Sequence, residues 1–287
     1  MENTLGSRRI VRLIIKIACI LLLIAGITML GFQLYTEYQR SQKDNDIKKL
    51  YYGLFDSGAF AEEQPPLDPE EPLDAEEDGM EVQEDFAELL NINEHVVGWL
   101  ECGEDIALPI VYFDNEFYLS HDLYGNPDDA GTVFINEANV IWPADRNLLF
   151  HGHNMRSGAA FGNLDNFRDI EYLKQYPLIS WRTIYDGEPM YYVPVALFDA
   201  SMEADNAAYF DIGRIWFESD DEFLEFADSA IAKSIFQLPF DVQADDMLIT
   251  LVTCSYEYDN SRFIIIARAL RQDETPEQII EAFSTLN

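Results

Sequence analysis

Cys254 closes the apolar, β-branched run ITLVTC, Arg262 opens the run SRFIIIARAL, and His151 and His153 follow the run NLLF. These residue types can attack and release an acyl group if the fold brings them together. A free thiol titrates near 8.5, so only a few per cent is thiolate at neutral pH, and an adjacent imidazolium raises that share. The same imidazole can then hand its proton to a departing amine. A guanidinium within reach stabilises the negative oxygen of a tetrahedral intermediate. The segment SYEYDN between Cys254 and Arg262 is rich in turn formers, so the two flanking runs read as neighbouring strands of a hairpin.

Each residue also has a plainer reading. Strand alternation sends His151 and His153 to one face, where a His-x-His pair could bind zinc. Zinc needs a third ligand, however, and the residues that follow are Asn154, Met155 and the cation Arg156. Both imidazoles could instead be hydrogen-bonded at a strand end, and Arg262 could be an edge-strand surface charge. Cys254 could be a buried core thiol or one half of a disulfide. Of the three cysteines, Cys19 falls in an apolar N-terminal run, which leaves Cys102 as the partner. A domain of this size does not depend on one staple, so that bridge is disfavoured.

The chain has 287 residues and a formal net charge of -35. Such a surface repels phosphate backbones, and nucleic acid is excluded as a partner. The charge is unevenly spread. Arg8, Arg9, Arg12 and Lys16 precede an uncharged run from Ile17 to Leu34. About 18 helical residues span roughly 27 Å, and the apolar flank at Leu13 to Ile15 lengthens this to the width of a bilayer. The basic end fixes the N-terminus in the cytoplasm. A cleaved signal peptide is the alternative, but the run is long and no A-x-A-like site closes it before Phe32. The reading is a single-pass anchor in the cell membrane, with everything after Tyr35 outside the cell.

Three parts follow: residues 1–35 as basic tail and membrane anchor, 36–80 as stalk and linker, and 81–287 as an extracellular catalytic domain. Residues 36 to 60 are polar and rich in Lys and Tyr, as in a helical stalk. The run EEQPPLDPEEPLDAEEDGMEVQED then carries prolines and carboxylates with no basic residue, the composition of a solvated spacer. It lacks the D-x-D-x-D-G pattern of a calcium loop. FAELLNINEHVVGWLEC has apolar residues at helical spacing up to Gly103. Seven β-like runs follow: LPIVYF, GTVFIN, NLLFHG, PLISWRTI, EPMYYVPVALFDAS, DMLITLVTCSY and SRFIIIARAL. Between the fifth and sixth, Phe223, Leu224, Phe226, Ala227 and Ile231 fit one helix face, with Ser219 or Asp220 as N-cap. The tail predicts a last helix capped by Thr275, with Pro276 at its first position and Ile279, Ile280 and Phe283 buried. Many strands and few helices point to a closed or rolled β-barrel with helical insertions.

Four segments of this chain resemble the sortases, membrane-anchored cysteine transpeptidases of Gram-positive bacteria. TLVTC, Thr250 to Cys254, matches their TLxTC signature. GHNMRSGAAFGNL looks like the histidine segment of class B sortases. VVGWLECGEDIALPIVYFDNEFYLSHDLYGNPDDAGTVFIN and the helix at 219–234 before the cysteine strand are also similar to that class. The resemblance covers roughly residues 86 to 271, and the order His, Cys, Arg agrees.

It implies a mainly β fold: a closed sortase-type barrel of about eight strands with helical insertions, preceded by an N-terminal transmembrane helix, with the site in a groove at strand ends. It further implies that Cys254 attacks a Thr–X bond in the C-terminal sorting signal of a surface or pilin-like protein and forms a thioester. An amine of cell-wall precursor or of another protein then resolves that thioester. His153 matches the motif histidine, acid then base, and Arg262 the arginine that holds substrate and oxyanion, with backbone N–H groups near Cys254 assisting. Asn115 and Leu119 match positions that line the class B peptide groove, and Thr253 lies beside the nucleophile. No metal and no cofactor is expected.

This chain departs from the pattern in three places. His151 stands where an aromatic residue, commonly Tyr, is expected. SGAAFG carries alanines where class B sequences often have Ser-Met. No carboxylate is plainly placed to orient His153, since Glu257 and Asp259 read as solvated turn residues. Two other functions fit the same residues: a peptidase that hydrolyses its thioester, and a tethered binding module in which Cys254 is inert.

Overall fold

The computed structural model describes residues 2–56, 80–255 and 260–286. Most of the acidic, proline-rich run and the turn holding Glu257 and Asp259 lie outside the described residues. Chain packing defines two units, Met1–Lys49 and Leu50–Asn287. Helix α1 (Glu2–Asp56) is one uninterrupted helix that includes the apolar run. Its stretch Ile15–Gly53 is long and apolar enough to cross a membrane.

In the second unit, eight strands close a barrel. They are β1 (Val96–Cys102), β2 (Ile106–Val111), β3 (Phe134–Ile135), β4 (Asn147–His151), β5 (Ile179–Thr183), β6 (Met190–Ser201), β7 (Leu248–Cys254) and β8 (Ser261–Ala269). Their order around the barrel is β1-β2-β3-β4-β7-β8-β6-β5, and β5 returns to β1. Among the described residues, closure leaves no edge strand to pair with another chain. The pairs are antiparallel except β2 with β3 and β4 with β7.

The core explains why the strands read as continuous apolar runs. On β7 and β8, Ile249, Leu251, Phe263 and Ile265 join the larger core cluster, while Val252, Ile264 and Ile266 join a second cluster on the other face. Helix α5 (Asp220–Lys233) covers that second face with Phe223, Phe226 and Ala230. Both faces of these strands are therefore buried, so the usual in-out alternation is lost. Ser219 caps α5 by accepting a hydrogen bond from the Glu222 N–H, as expected, whereas Leu224 and Ile231 are only half-buried.

Other expectations needed correction. The helix read over residues 86–102 is only α2 (Ala87–Ile92), and Val96 onward is strand β1. All but one residue of β1 is buried, so its apolar spacing carries no helical period. GTVFIN contributes a strand of only two residues. The last helix, α6 (Pro276–Ser284), has the Thr275 capping box and buries Ile279 and Phe283, but Ile280 is 48% exposed.

Residues at the start of the second unit belong to the barrel's packing. Tyr51 stacks on Trp99 at 4.1 Å between ring centroids, and the Tyr51 hydroxyl accepts a hydrogen bond from Arg182. Arg182, which is buried, also pairs with the half-buried Asp85, the last residue of the acidic run.

Candidate active site

Strand register brings the predicted residues together. Cys254 ends β7 directly opposite Arg262 on β8. Opposed residues of an antiparallel pair point to the same side, so thiol and guanidinium share a face. On the other flank, the parallel pairing of β4 with β7 sets His151 beside Val252. The chain then turns off the strand. The Gly152 N–H donates to the Val252 carbonyl at 3.2 Å, and the Thr253 hydroxyl donates to the Gly152 carbonyl at 2.8 Å. Those two bonds carry His153 to the thiol. Gly152 is required by close approach: a Cβ there would sit 2.8 Å from the Phe161 ring and 3.0 Å from Val133.

All six predicted residues, Asn115, Leu119, His153, Thr253, Cys254 and Arg262, line one cleft of about 480 Å³. His151 and Asn136 lie in its wall, and Met202 and Ile212 give it an apolar flank. Asn115 opens the short helix α3 (Asn115–Tyr118), and its side-chain carbonyl accepts from the Glu137 N–H at 2.9 Å, which fixes that rim. Leu119 has an exposed side chain, but its main-chain carbonyl lies 2.8 Å from His153 Nε2. A carbonyl can only accept, so Nε2 carries a hydrogen and Nδ1 remains to take up and release a proton. A backbone oxygen thus does the orienting for which the sequence offered no carboxylate. Thr253 is buried, and its hydroxyl ties β7 to the histidine segment.

The electrostatics separate the two histidines. The hydrogen bond between His153 and Cys254 pushes the imidazole's pKa up and the thiol's down. Partial burial opposes both shifts; the Leu119 carbonyl adds to the first, and the positive charge of Arg262 adds to the second. The two movements favour a thiolate–imidazolium pair. His151 goes the other way: burial, then the Arg262 charge, pushes it down to about 4. It stays neutral, with Nε2 3.1 Å from the Asn136 amide nitrogen. Cys102 is a free thiol that burial pushes far up, so it is inert.

No protein-family model matches the chain. Sortase B of Listeria monocytogenes is 27% identical over 190 residues, which are 64% of this chain and 74% of the relative. A sortase-B-like protein of Bacillus anthracis superposes with a TM-score of 0.64 at 25% identity, over 82% of this chain and 98% of the other. The substrate complex of Staphylococcus aureus sortase B superposes with a TM-score of 0.66 at 18% identity, over 82% of this chain and 98% of the other. With the eight-stranded barrel, these likenesses point the same way. The chain is similar in sequence to sortase B and shares the fold of the sortase B structures.

Sequence reasoning missed the residues behind the cleft. The Asn154 amide donates to the Cys254 carbonyl and to Asp165, both at 2.8 Å. Asp165 accepts from Arg168 Nε at 3.1 Å, and the two terminal nitrogens of Arg168 bind both oxygens of Asp199 at 2.5 and 2.7 Å. Asp199 also accepts from the Ser255 hydroxyl at 2.6 Å. These residues come from four separate segments, and no local pattern announces them. The one available signal was the number of charged residues beside apolar runs in a barrel with few cations.

Proposed function

We propose that this chain is a membrane-anchored sortase that transfers a protein's C-terminal acyl group to an amine. The observation that supports this most is the convergence of Cys254, His153 and Arg262 in one cleft, with the thiol shifted down and the imidazole up.

In this reading, the Cys254 thiolate attacks the carbonyl of a Thr–X bond in a sorting signal. The C–S bond forms and the carbonyl oxygen becomes negative, facing the Arg262 guanidinium. As the intermediate collapses, His153 gives its proton to the departing amine and a thioester remains. An incoming amine then attacks the thioester, His153 takes its proton, and Cys254 leaves as thiolate. Asn115, Leu119 and Thr253 line the groove that holds the signal peptide. The pairing of substrate and amine fits the ligands of solved sortase B structures, one with a substrate and another with triglycine. Arg8, Arg9, Arg12 and Lys16 hold the N-terminus in the cytoplasm, and the barrel works outside the cell, on surface or pilin-like proteins and on cell-wall precursor or protein amines.

The test uses the full chain in detergent, incubated with a panel of sorting-signal peptides and oligoglycine or a diamine, beside Cys254→Ala. Mass spectrometry should show a transfer product that the variant does not make. Hydrolysis alone under abundant acceptor, across the whole panel, would replace the transferase with a peptidase. A wild-type chain that forms no thioester with any peptide would overturn the enzyme reading.

A further inference from the structure

The cluster behind the cleft is arranged as a closed ring. It starts at the residue after the histidine, Asn154, and passes through Asp165, Arg168 and Asp199. It ends at the residue after the cysteine, Ser255, whose N–H and carbonyl are both bonded to Ser261 beside Arg262. The ring closes where the Asn154 amide donates to the carbonyl of Cys254, the residue before Ser255, while His153 and the Cys254 thiol face the same cleft in front. Arg168 also lies over the Phe263 ring, 4.0 Å from its centroid, so it is held from below as well as from its edges. Asn154 is 8% exposed and Ser255 7%, so these bonds are little contested by water. The bonds to Arg168 and Ser255 overcome burial and hold Asp199 below the usual carboxylate range, so it is charged at neutral pH.

Asn154 has the central place in this ring. Its one amide nitrogen donates to both the Cys254 carbonyl and Asp165. The peptide carbonyl of the cysteine is thereby tied to the loop that carries the histidine. We propose that Asn154 is a positioning residue: by holding the Cys254 carbonyl, with Asp165, Arg168, Asp199 and Ser255 behind it, it sets the distance between thiol and imidazole. This rests on the reading of Cys254 as the nucleophile. A small displacement between reacting groups costs reactivity out of proportion to its size.

The test measures alkylation of Cys254 by iodoacetamide against pH, on the full chain in detergent, read at the Cys254 peptide by mass spectrometry. Melting temperature is followed alongside. Asn154→Ala should slow alkylation at neutral pH by roughly tenfold and move the profile to higher pH, because the thiol loses its imidazole. The decisive variant exchanges the pair, Asn154→Asp with Asp165→Asn. The new amide at position 165 can still accept from Arg168 and donate to the new carboxylate at position 154, so the loop tie is kept. The Cys254 carbonyl, however, loses its donor.

The expected result is a melting temperature restored by the exchange while the alkylation profile stays shifted. An exchange that restores both would show that Asn154 serves only the loop, and would overturn the proposal. So would an Asn154→Ala variant with the wild-type profile, and that variant decides alone if the exchange does not fold. A wild-type Cys254 no more reactive than a free thiol would instead refute the nucleophile reading itself, a different outcome from a reactive thiol that ignores Asn154.

Discussion

His151 and His153 lie either side of Gly152 and line the same cleft, yet only one should control the thiol. The perturbations are His153→Ala and His151→Phe, the second chosen to keep a ring against Phe134. His153 shares a hydrogen bond with Cys254 that lowers the thiol, so its loss returns the thiol toward its ordinary range. An ordinary thiol is about 3% thiolate at pH 7, so the loss of reactive thiolate is at most roughly thirtyfold. Each unit of lowering that His153 supplies accounts for tenfold of that ceiling. His151, at about 4, carries no charge at pH 7 and contributes nothing to the pair. His151→Phe should therefore leave the profile in place, while His153→Ala moves it up. Peptide transfer should fall further than alkylation in His153→Ala, by roughly a hundredfold or more beyond it, because the general acid is also gone. Iodoacetamide kinetics from pH 5 to 10, read at the Cys254 peptide, give the profile. A thiolate that survives His153→Ala and disappears in His151→Phe would refute the reasoning.

Arg262 lowers both Cys254 and His153, so Arg262→Ala should raise both and shift the alkylation profile upward. Transfer should drop by roughly a hundred- to a thousandfold if the guanidinium also meets the oxyanion, and an unchanged rate in peptide assays would remove that role. Gly152→Ala forces a methyl into the Phe161 ring and should cost about 1–3 kcal/mol in urea unfolding; a melt identical to wild type would mean the contact relaxes freely. A soluble chain starting at residue 81 lacks Tyr51, which stacks on Trp99, and should be less stable by roughly 2–4 kcal/mol than one starting at Leu50. Equal urea midpoints for the two would show that the stack contributes little.

The barrel was legible because its strands are bounded by turn residues and its helix α5 has a clear cap and stripe. Register was legible only at Cys254 and Arg262, where the few residues between the two runs leave few alternatives. Strand β1 was misread because burial on both faces erased its alternation, and β3 is too short to carry a pattern. In the site, residue types next to strand ends pointed to Cys254, His153 and Arg262, which the fold brings to one cleft. What orients His153 was not legible, because the group is a main-chain oxygen of Leu119, and every residue has one. The ring through Asn154 and Arg168 was invisible for a related reason: its members are ordinary polar residues joined only by the closed fold.

The bonds that tie the Cys254 strand to the histidine segment span long stretches of chain. The Thr253 hydroxyl and the Gly152 carbonyl are separated by 101 residues, and Asn154 reaches a carbonyl 100 residues on. Such contacts form late, since the loop they close must be ordered before they add any stability. A chain still waiting to fold therefore carries an ordinary, mostly protonated thiol. The lowered thiol comes into being only when β7 slots beside β4 and the barrel shuts. Under the proposed function, reactivity would then report completed folding: an incomplete molecule has the cysteine but lacks the chemistry, and would not trap a passing peptide in a thioester that it is unable to resolve.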